Sequence, residues 1–419
     1  MRDWRDALVT VVCGTAAMAV TAALGLWAAG AAGLPGGAFP RVVAAVVVMA
    51  AGGTVELTGD AGDLVGADAE LAVLPLSVTL AGALVTGAAF LGPLRHHAVS
   101  AGGELLGRAV RTAVLWSAAL AALSTCARDA FEIPLGEESP ADLFGELFDS
   151  TPTVGFRADL PSTLLFGLLW LLGVLAVTLL VSRGAPLPAR LLRYQEQVRP
   201  AAFAMLFLLL ACVAAGVVVA LVAAATRGHP SETFAVMLLG LPNLVWLALG
   251  IGMGGSWEGR VEGPFGLPVP HLLDAVLRGE RNSTLSLSSL VQEDGRAWWL
   301  LVAAAVLLQA AAFVMAVRSP AGTSLWLHAA HMAIALTLTT LVVCPLTGID
   351  ARAGLSLLGI GDLGGFGGEV TLRPRLWATA AAAALWGLVT GFLGGLLASR
   401  VRRGGEVDGP LRPEPGKDR

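Results

Sequence analysis

Charge is scarce in this sequence. Only 14% of its 419 residues are Asp, Glu, Lys or Arg, 56% are apolar, and the mean hydropathy is +0.74. A soluble domain carries about 25% charged residues, so the solvent this surface matches is lipid. Lysine is scarcer still: Lys417 is the only one, and it lies in a polar tail. A Walker loop needs a lysine on the phosphates and Schiff-base catalysis needs its amine, so both chemistries are excluded. With a net charge of −4 there is no basic footprint for nucleic acid. Paired cysteines are also missing. Cys13, Cys126, Cys212 and Cys344 stand in or at the ends of separate apolar runs and read as small packing residues, not as a disulfide or metal site. No HExxH, GxSxG or SxxK pattern occurs, so hydrolase chemistry has no anchor. The expectation is a protein that is not an enzyme, with no cofactor and no metal.

What is present is long apolar runs. A span needs about 20 apolar residues, and eight stretches meet this or come close: 8–33, 72–94, 109–127, 160–182, 201–226, 298–317, 325–346 and 376–399. The first is too long for the h-region of a signal peptide, which is about 7–15 residues, and reads as a spanning helix. Two further stretches are ambiguous. Residues 42–57 are short and end in Glu56; residues 233–252 are interrupted by Pro242-Asn243 and dissolve into IGMGG.

Arginine placement arbitrates, because cytoplasmic loops near the membrane are rich in Arg and Lys. If all ten stretches cross, 12 basic residues lie inside and 15 outside; if the two ambiguous ones dip in and return, 16 lie inside and 11 outside. The second arrangement is preferred. It places both termini in the cytoplasm and the protein in the cell membrane as a multi-pass chain. It also puts three segments on the outer face: acidic GGTVELTGDAGDLVGADAE, the loop CARDAFEIPLGEESPADLFGELFDSTPTVGFRADLP, and Gly-rich SLLGIGDLGGFGGEVTLRPR.

The two halves resemble each other. At an offset of 216, TVGFRADLPSTLLFGLLW matches EVTLRPRLWATAAAAALW at Val154/Val370, Arg157/Arg373, Leu160/Leu376, Thr163/Thr379, Leu169/Leu385 and Trp170/Trp386. The SR pairs 182–183 and 399–400 and the cysteines 126 and 344 follow nearby. Four crossings per half give both halves the same orientation, so the repeats are parallel. The expected organisation is a first membrane repeat over 1–199, a second over 200–403 and a disordered cytoplasmic tail over 404–419. The expected fold is an all-α polytopic transmembrane bundle of about eight spans plus two re-entrant or half-helix segments.

Polar residues at membrane depth are costly and mark function. Glu56, at the foot of one dipping segment, and Asn243, at the break in the other, are candidate cavity or pathway residues; interrupted segments in corresponding positions point to a transport site. Equally, both segments are readable as outer-leaflet half-helices that simply pack. His328 and His331, three apart on one helix, could relay protons or hold a metal, but interhelical hydrogen bonding is favoured, with Gln309 as a partner. The acidic stretch lacks the D-x-D-x-D-G calcium spacing and reads as a solvated loop. Gly359 to Gly364 fits GxGxxG literally but lies outside any soluble βαβ unit.

Across nearly its whole length the chain resembles the streptophobe family, very hydrophobic membrane proteins of Streptomyces and relatives. The residues that carry this are PLSVTLAGALVTGAAFLGPLRH, LLVSRGAPLPARLLRYQEQVRPAAFAM, LLGLPNLVWLALG, WEGRVEGPFGLPVP and LSLLGIGDLGG. The resemblance implies an integral membrane protein and brings no catalytic residues. Two functions remain open: a non-catalytic protein acting through membrane partners or the envelope, and a permease for a small solute with a path between the halves beside Glu56 and Asn243. The expected partners are the lipid bilayer and other membrane proteins, with no nucleic acid.

Overall fold

The structure is a computed structural model of the chain, and it describes residues 2–34, 37–60, 65–93, 102–132, 153–182, 189–226, 228–262, 283–320, 322–357 and 368–400. Its helices are α1 (Arg2–Ala28), α2 (Ala38–Ala50), α3 (Leu76–Leu91), α4 (Gly102–Cys126), α5 (Leu160–Val181), α6 (Ala189–Thr226), α7 (Pro230–Gly252), α8 (Leu287–Glu293), α9 (Trp299–Arg318), α10 (Leu325–Leu346) and α11 (Leu376–Ser399). Between them run β1 (Val55–Asp60), β2 (Val65–Val73), β3 (Arg128–Glu132), β4 (Thr153–Ala158), β5 (Trp257–Glu262), β6 (Ser283–Leu285), β7 (Ile349–Leu357) and β8 (Gly368–Pro374).

Apolar runs of this length fold as helices because hydrocarbon offers the backbone no hydrogen bonds. Eight described helices are long and apolar enough to cross a membrane: α1, α4, α5, α6, α7, α9, α10 and α11. The polytopic helical bundle is therefore as expected, but the membership differs. The stretch 233–252 lies within one unbroken helix, the 23-residue α7, and α3 has only 16 residues. Pro242 does not break α7, which continues through it. Ser77 Oγ donates to the Met237 carbonyl (2.8 Å), next to the carbonyl that Pro242 deprives of its helical partner.

Connectivity assigns the ends. Arg111 and Arg108 near the start of α4 meet Asp3 and Asp6 near the start of α1 (3.3 and 3.9 Å), whereas α4 ends at β3. The start of α1 therefore lies at the end of the bundle opposite the sheet. By the same logic α3 runs from the sheet end to the far end, with about 24 Å of helix at 1.5 Å per residue. Helices α2 and α7 begin after chains that have reached the sheet end, and they run straight into β1 and β5. Both are thus returning segments, and all four β-hairpins gather at one end.

Each returning helix stops in the same way. Gly52 (φ 97°) and Gly254 (φ 90°) take the left-handed conformation that glycine allows. The following amides reach back five residues, Gly53 to Val48 O (3.0 Å) and Gly255 to Gly250 O (2.9 Å), which is a Schellman turn. A Cβ on Gly53 would fall 2.5 Å from Thr163 Oγ1, and one on Gly255 would fall 2.8 Å from Thr379 Cγ2. Each turn therefore seats on the matching threonine of α5 or α11.

The segments expected as loops form instead an eight-stranded antiparallel sheet in the order β3-β4-β1-β2-β7-β8-β5-β6. The acidic stretch supplies β1 and β2, with Glu56 opposite Glu70 in register; Asp63 lies outside the described residues. Charged and apolar residues alternate here because one sheet face packs on the bundle. Val55, Phe156, Ala158, Trp257 and Leu372 are buried beneath it. The GxGxxG match, most of the second acidic loop and the tail 404–419 lie outside the described residues.

The apolar cores follow the halves. Val11, Met18, Val78, Phe90, Trp116 and Leu171 pack together in one; Leu208, Trp246, Leu308, Met332 and Ala383 pack in the other. Three residues cross over: Leu76 of α3 lies in the second core with Leu74 against it, and Leu239 of α7 lies against the first. The expected boundary at 199/200 falls inside α6, so one continuous helix joins the halves.

Candidate functional site

The outward face of the sheet gathers the charge that the helices lack. Glu56 is exposed on β1, opposite Arg157 of β4; Glu258 is exposed on β5, opposite Arg373 of β8. Arg375 Nε donates to Glu258 Oε1 (2.6 Å), and Arg373 donates to Asp350 Oδ1 through Nη2 (2.8 Å) and Nε (3.1 Å). At the margin Arg41 of α2 pairs with Asp129 of β3. Apart from Asp129, whose side chain is mostly covered, these groups face solvent, and exposed ion pairs are worth about 0–1 kcal/mol each. Below them Asp159 caps α5, accepting from the Ser162 N–H (2.9 Å). The Ser162 N–H and hydroxyl hold its carboxyl below the ordinary value.

Glu56 was expected at the foot of a dipping segment. It stands instead three residues beyond the turn, exposed on the strand that climbs away from it. Asn243 was expected at a helix break. It lies inside α7 and is half-buried, and its amide is used on both sides: Nδ2 donates to Leu74 O (2.8 Å), and Oδ1 accepts from Leu76 N–H (3.2 Å). It thereby caps the first turn of α3 from the other half of the chain, satisfying one of the donors that every helix start leaves open. The structure does not bring Glu56 and Asn243 together on a common wall.

His328 is fully buried on α10 and lies against Gly395 of α11, where a Cβ would come 3.0 Å from its Cδ2. His331, on the same helix, is half-buried. Gln309, suggested as their partner, has its Nε2 buried without a hydrogen bond. Among the described residues no three His, Cys, Asp or Glu side chains converge as a metal site would require. One polar seam was not anticipated. Between α1, α3 and α4, Arg108 lies over the Phe90 ring (5.0 Å), with its Nε and Nη2 buried and unbonded, and Thr86 Oγ1 is buried without a partner.

Glu258, Arg373 and Arg375 were also missed as members of a charged face. A signal was available: GGTVEL at Gly52 and GGSWEG at Gly254 share Gly-Gly-hydroxyl-apolar-Glu at an offset of 202. No family model, curated protein or solved structure matches the chain.

Proposed function

We propose that this protein is a non-catalytic membrane platform of the streptophobe type. Its helical bundle holds a charged sheet face at one surface of the cell membrane, where partners of the membrane or envelope engage it. The observation that carries this reading is the fate of the candidate pathway residues. Both polar atoms of Asn243 are engaged by backbone, Glu56 points away from the bundle, and the contact between the halves is apolar around Leu76 and Trp246. A permease path between the halves would need those groups free on its wall.

Arginine supports an outward sheet with both termini cytoplasmic, since Arg2, Arg5, Arg108, Arg111, Arg318 and Arg400 all lie at or near the opposite end. A duplicated origin is supported by the matching element order, the twin Schellman turns and the equivalent bonds Asp159 N–H to Thr54 O and Arg375 N–H to Ser256 O (3.1 and 2.9 Å).

Photo-crosslinking amino acids at positions 56 and 258, in living cells, test the platform. Defined protein adducts are expected at both positions and are expected to be lost in the Arg157→Glu/Arg373→Glu chain. The reading is overturned if no adducts form while purified protein in liposomes carries a solute at a rate that Asn243→Ala reduces.

A further inference from the structure

We infer that a second copy of this chain docks on the two edges that the sheet has among the described residues, β6 of one copy pairing with β3 of the other. The inference goes beyond the platform reading and stands on the fold alone. The two halves contribute the same strand order, β3-β4-β1-β2 and then β7-β8-β5-β6. Their registers correspond residue by residue. Glu56 faces Arg157 and Glu70 in the first half, and Glu258 faces Arg373 and Thr284 in the second. The junction between the halves, β2 on β7, is therefore head-to-tail, joining unlike edges of like units. The strands at the two ends of the order, β3 and β6, are the counterparts of β7 and β2. Each open end is built to meet the other.

A head-to-tail interface closes on itself only when the rotation relating the units completes a circle. If a half-turn related the two halves, β6 would meet β3 within one chain. Helix α2 would also pack on α6 and α9 as α7 packs on α1 and α3, and α11 would lie against α1 as α6 lies against α5. Among the described residues neither helix packing has a comparable counterpart, and the sheet order ends at β3 and β6. The mates must come from different copies. The smallest assembly that satisfies both edges is a two-fold dimer about the membrane normal, which makes the junction twice.

The internal junction supplies the register. There Leu71 faces Ala351 and Glu70 faces Arg352, so between copies Leu285 faces Phe131 and Thr284 faces Glu132. An exposed strand edge is a template for pairing, and antiparallel partners stand about 4.5–5.5 Å apart at Cα, within reach of a disulfide. The same junction places α1 of one copy beside α11 of the next, both of which present apolar side chains such as Val12, Val20, Leu385 and Leu393.

The test uses two differently tagged full-length chains, both Cys13→Ser/Cys126→Ser, co-expressed and oxidised in native membranes. One carries Glu132→Cys and the other Thr284→Cys. A disulfide-linked species bearing both tags is expected, at least fivefold above the yield when Ala130→Cys replaces Glu132→Cys. Purified protein is expected at twice the 42.8 kDa chain mass by light scattering, and Glu132→Pro, which removes an N–H on the open side of β3, is expected to return it to one. Two results overturn the inference. In one, a link forms only when both cysteines lie in the same chain, so that the sheet closes on itself. In the other, no link forms at all, so that something else covers the edges. Neither bears on adducts at positions 56 and 258, so the platform reading stands or falls separately.

Discussion

The helices α10 and α11 of the second half meet backbone to backbone, whereas their counterparts α4 and α5 in the first meet through large side chains. Gly387, Gly391 and Gly395 recur every four residues along α11. A Cβ on Gly387 would stand 2.4 Å from the Ala333 Cα, and one on Gly391 would stand 2.7 Å from the His328 carbonyl. At the matching positions of α5 the first half has Leu171, Leu175 and Leu179, the first two buried. Lipid gives helices no hydrophobic reason to associate, so small residues and close packing hold them together. One architecture has thus reached the same end by two routes, and the second half leaves less room for change.

A second difference concerns the returning helices. Position 243 of α7 corresponds to position 41 of α2, counting back from the shared glycine turn. Arg41 pairs with Asp129 of its own half, but Asn243 reaches across to Leu74 and Leu76 of the other. Helix α7 also starts earlier relative to the turn, and this extra length brings Met237 and Leu239 onto Ser77 and Gly25. The second half clasps the first, and among the described residues nothing in the first half answers it in kind.

These contrasts can be broken by exchange. Gly391→Leu, which installs the first-half residue, is expected to cost about 3 kcal/mol or more by overpacking. The reverse direction, Leu175→Ala, is expected to cost about 2–5 kcal/mol as a cavity. Unfolding in mild detergent measures both, and tolerance of leucine at 391 would refute the backbone-contact account. Asn243→Leu leaves a buried donor and acceptor without partners and should cost about 1–3 kcal/mol. Arg41→Leu removes only a half-exposed ion pair and should cost under about 1 kcal/mol. Equal losses at the two positions would remove the distinction drawn between clasp and surface pair.

The smallest contrast lies at the N-caps of α5 and α11. Asp159 caps α5 through Ser162, but the corresponding Arg375 makes no capping bond. Asp159→Ala should cost about 1 kcal/mol, and Arg375→Ala should cost less. Because the folded-state value of Asp159 is depressed, its contribution is complete above the unfolded carboxyl value of ~3.9. It disappears as pH falls through the lower folded value. A melting-temperature series from pH 6 to 2 should therefore show a low-pH loss that is smaller in Asp159→Asn. An unchanged profile would mean that the cap does not titrate in this range.

Much of the bundle was legible because lipid imposes one rule on every span, and uninterrupted apolar length is enough to state it. The stretches at 42–57 and 233–252 were set apart from the other eight as ambiguous. Their internal form was not legible, because a proline carried within a helix and one that ends it look alike in sequence. The sheet was missed for a related reason. Strands such as β3 and β6 are only five and three residues long, too short for alternation to declare itself. Glu56, expected at the foot of a dipping segment, lies on the strand beyond it, since the sequence does not show that the chain turns at Gly52 and Gly53.

By itself the sequence determined the solvent and the helical class, because hydropathy acts locally and adds along the chain. The tertiary structure alone decided that the connectors form one sheet, that Asn243 spends its amide on α3, and that the halves join through unlike edges. Hydrogen bonds and register are relations between distant residues, and no single stretch carries them.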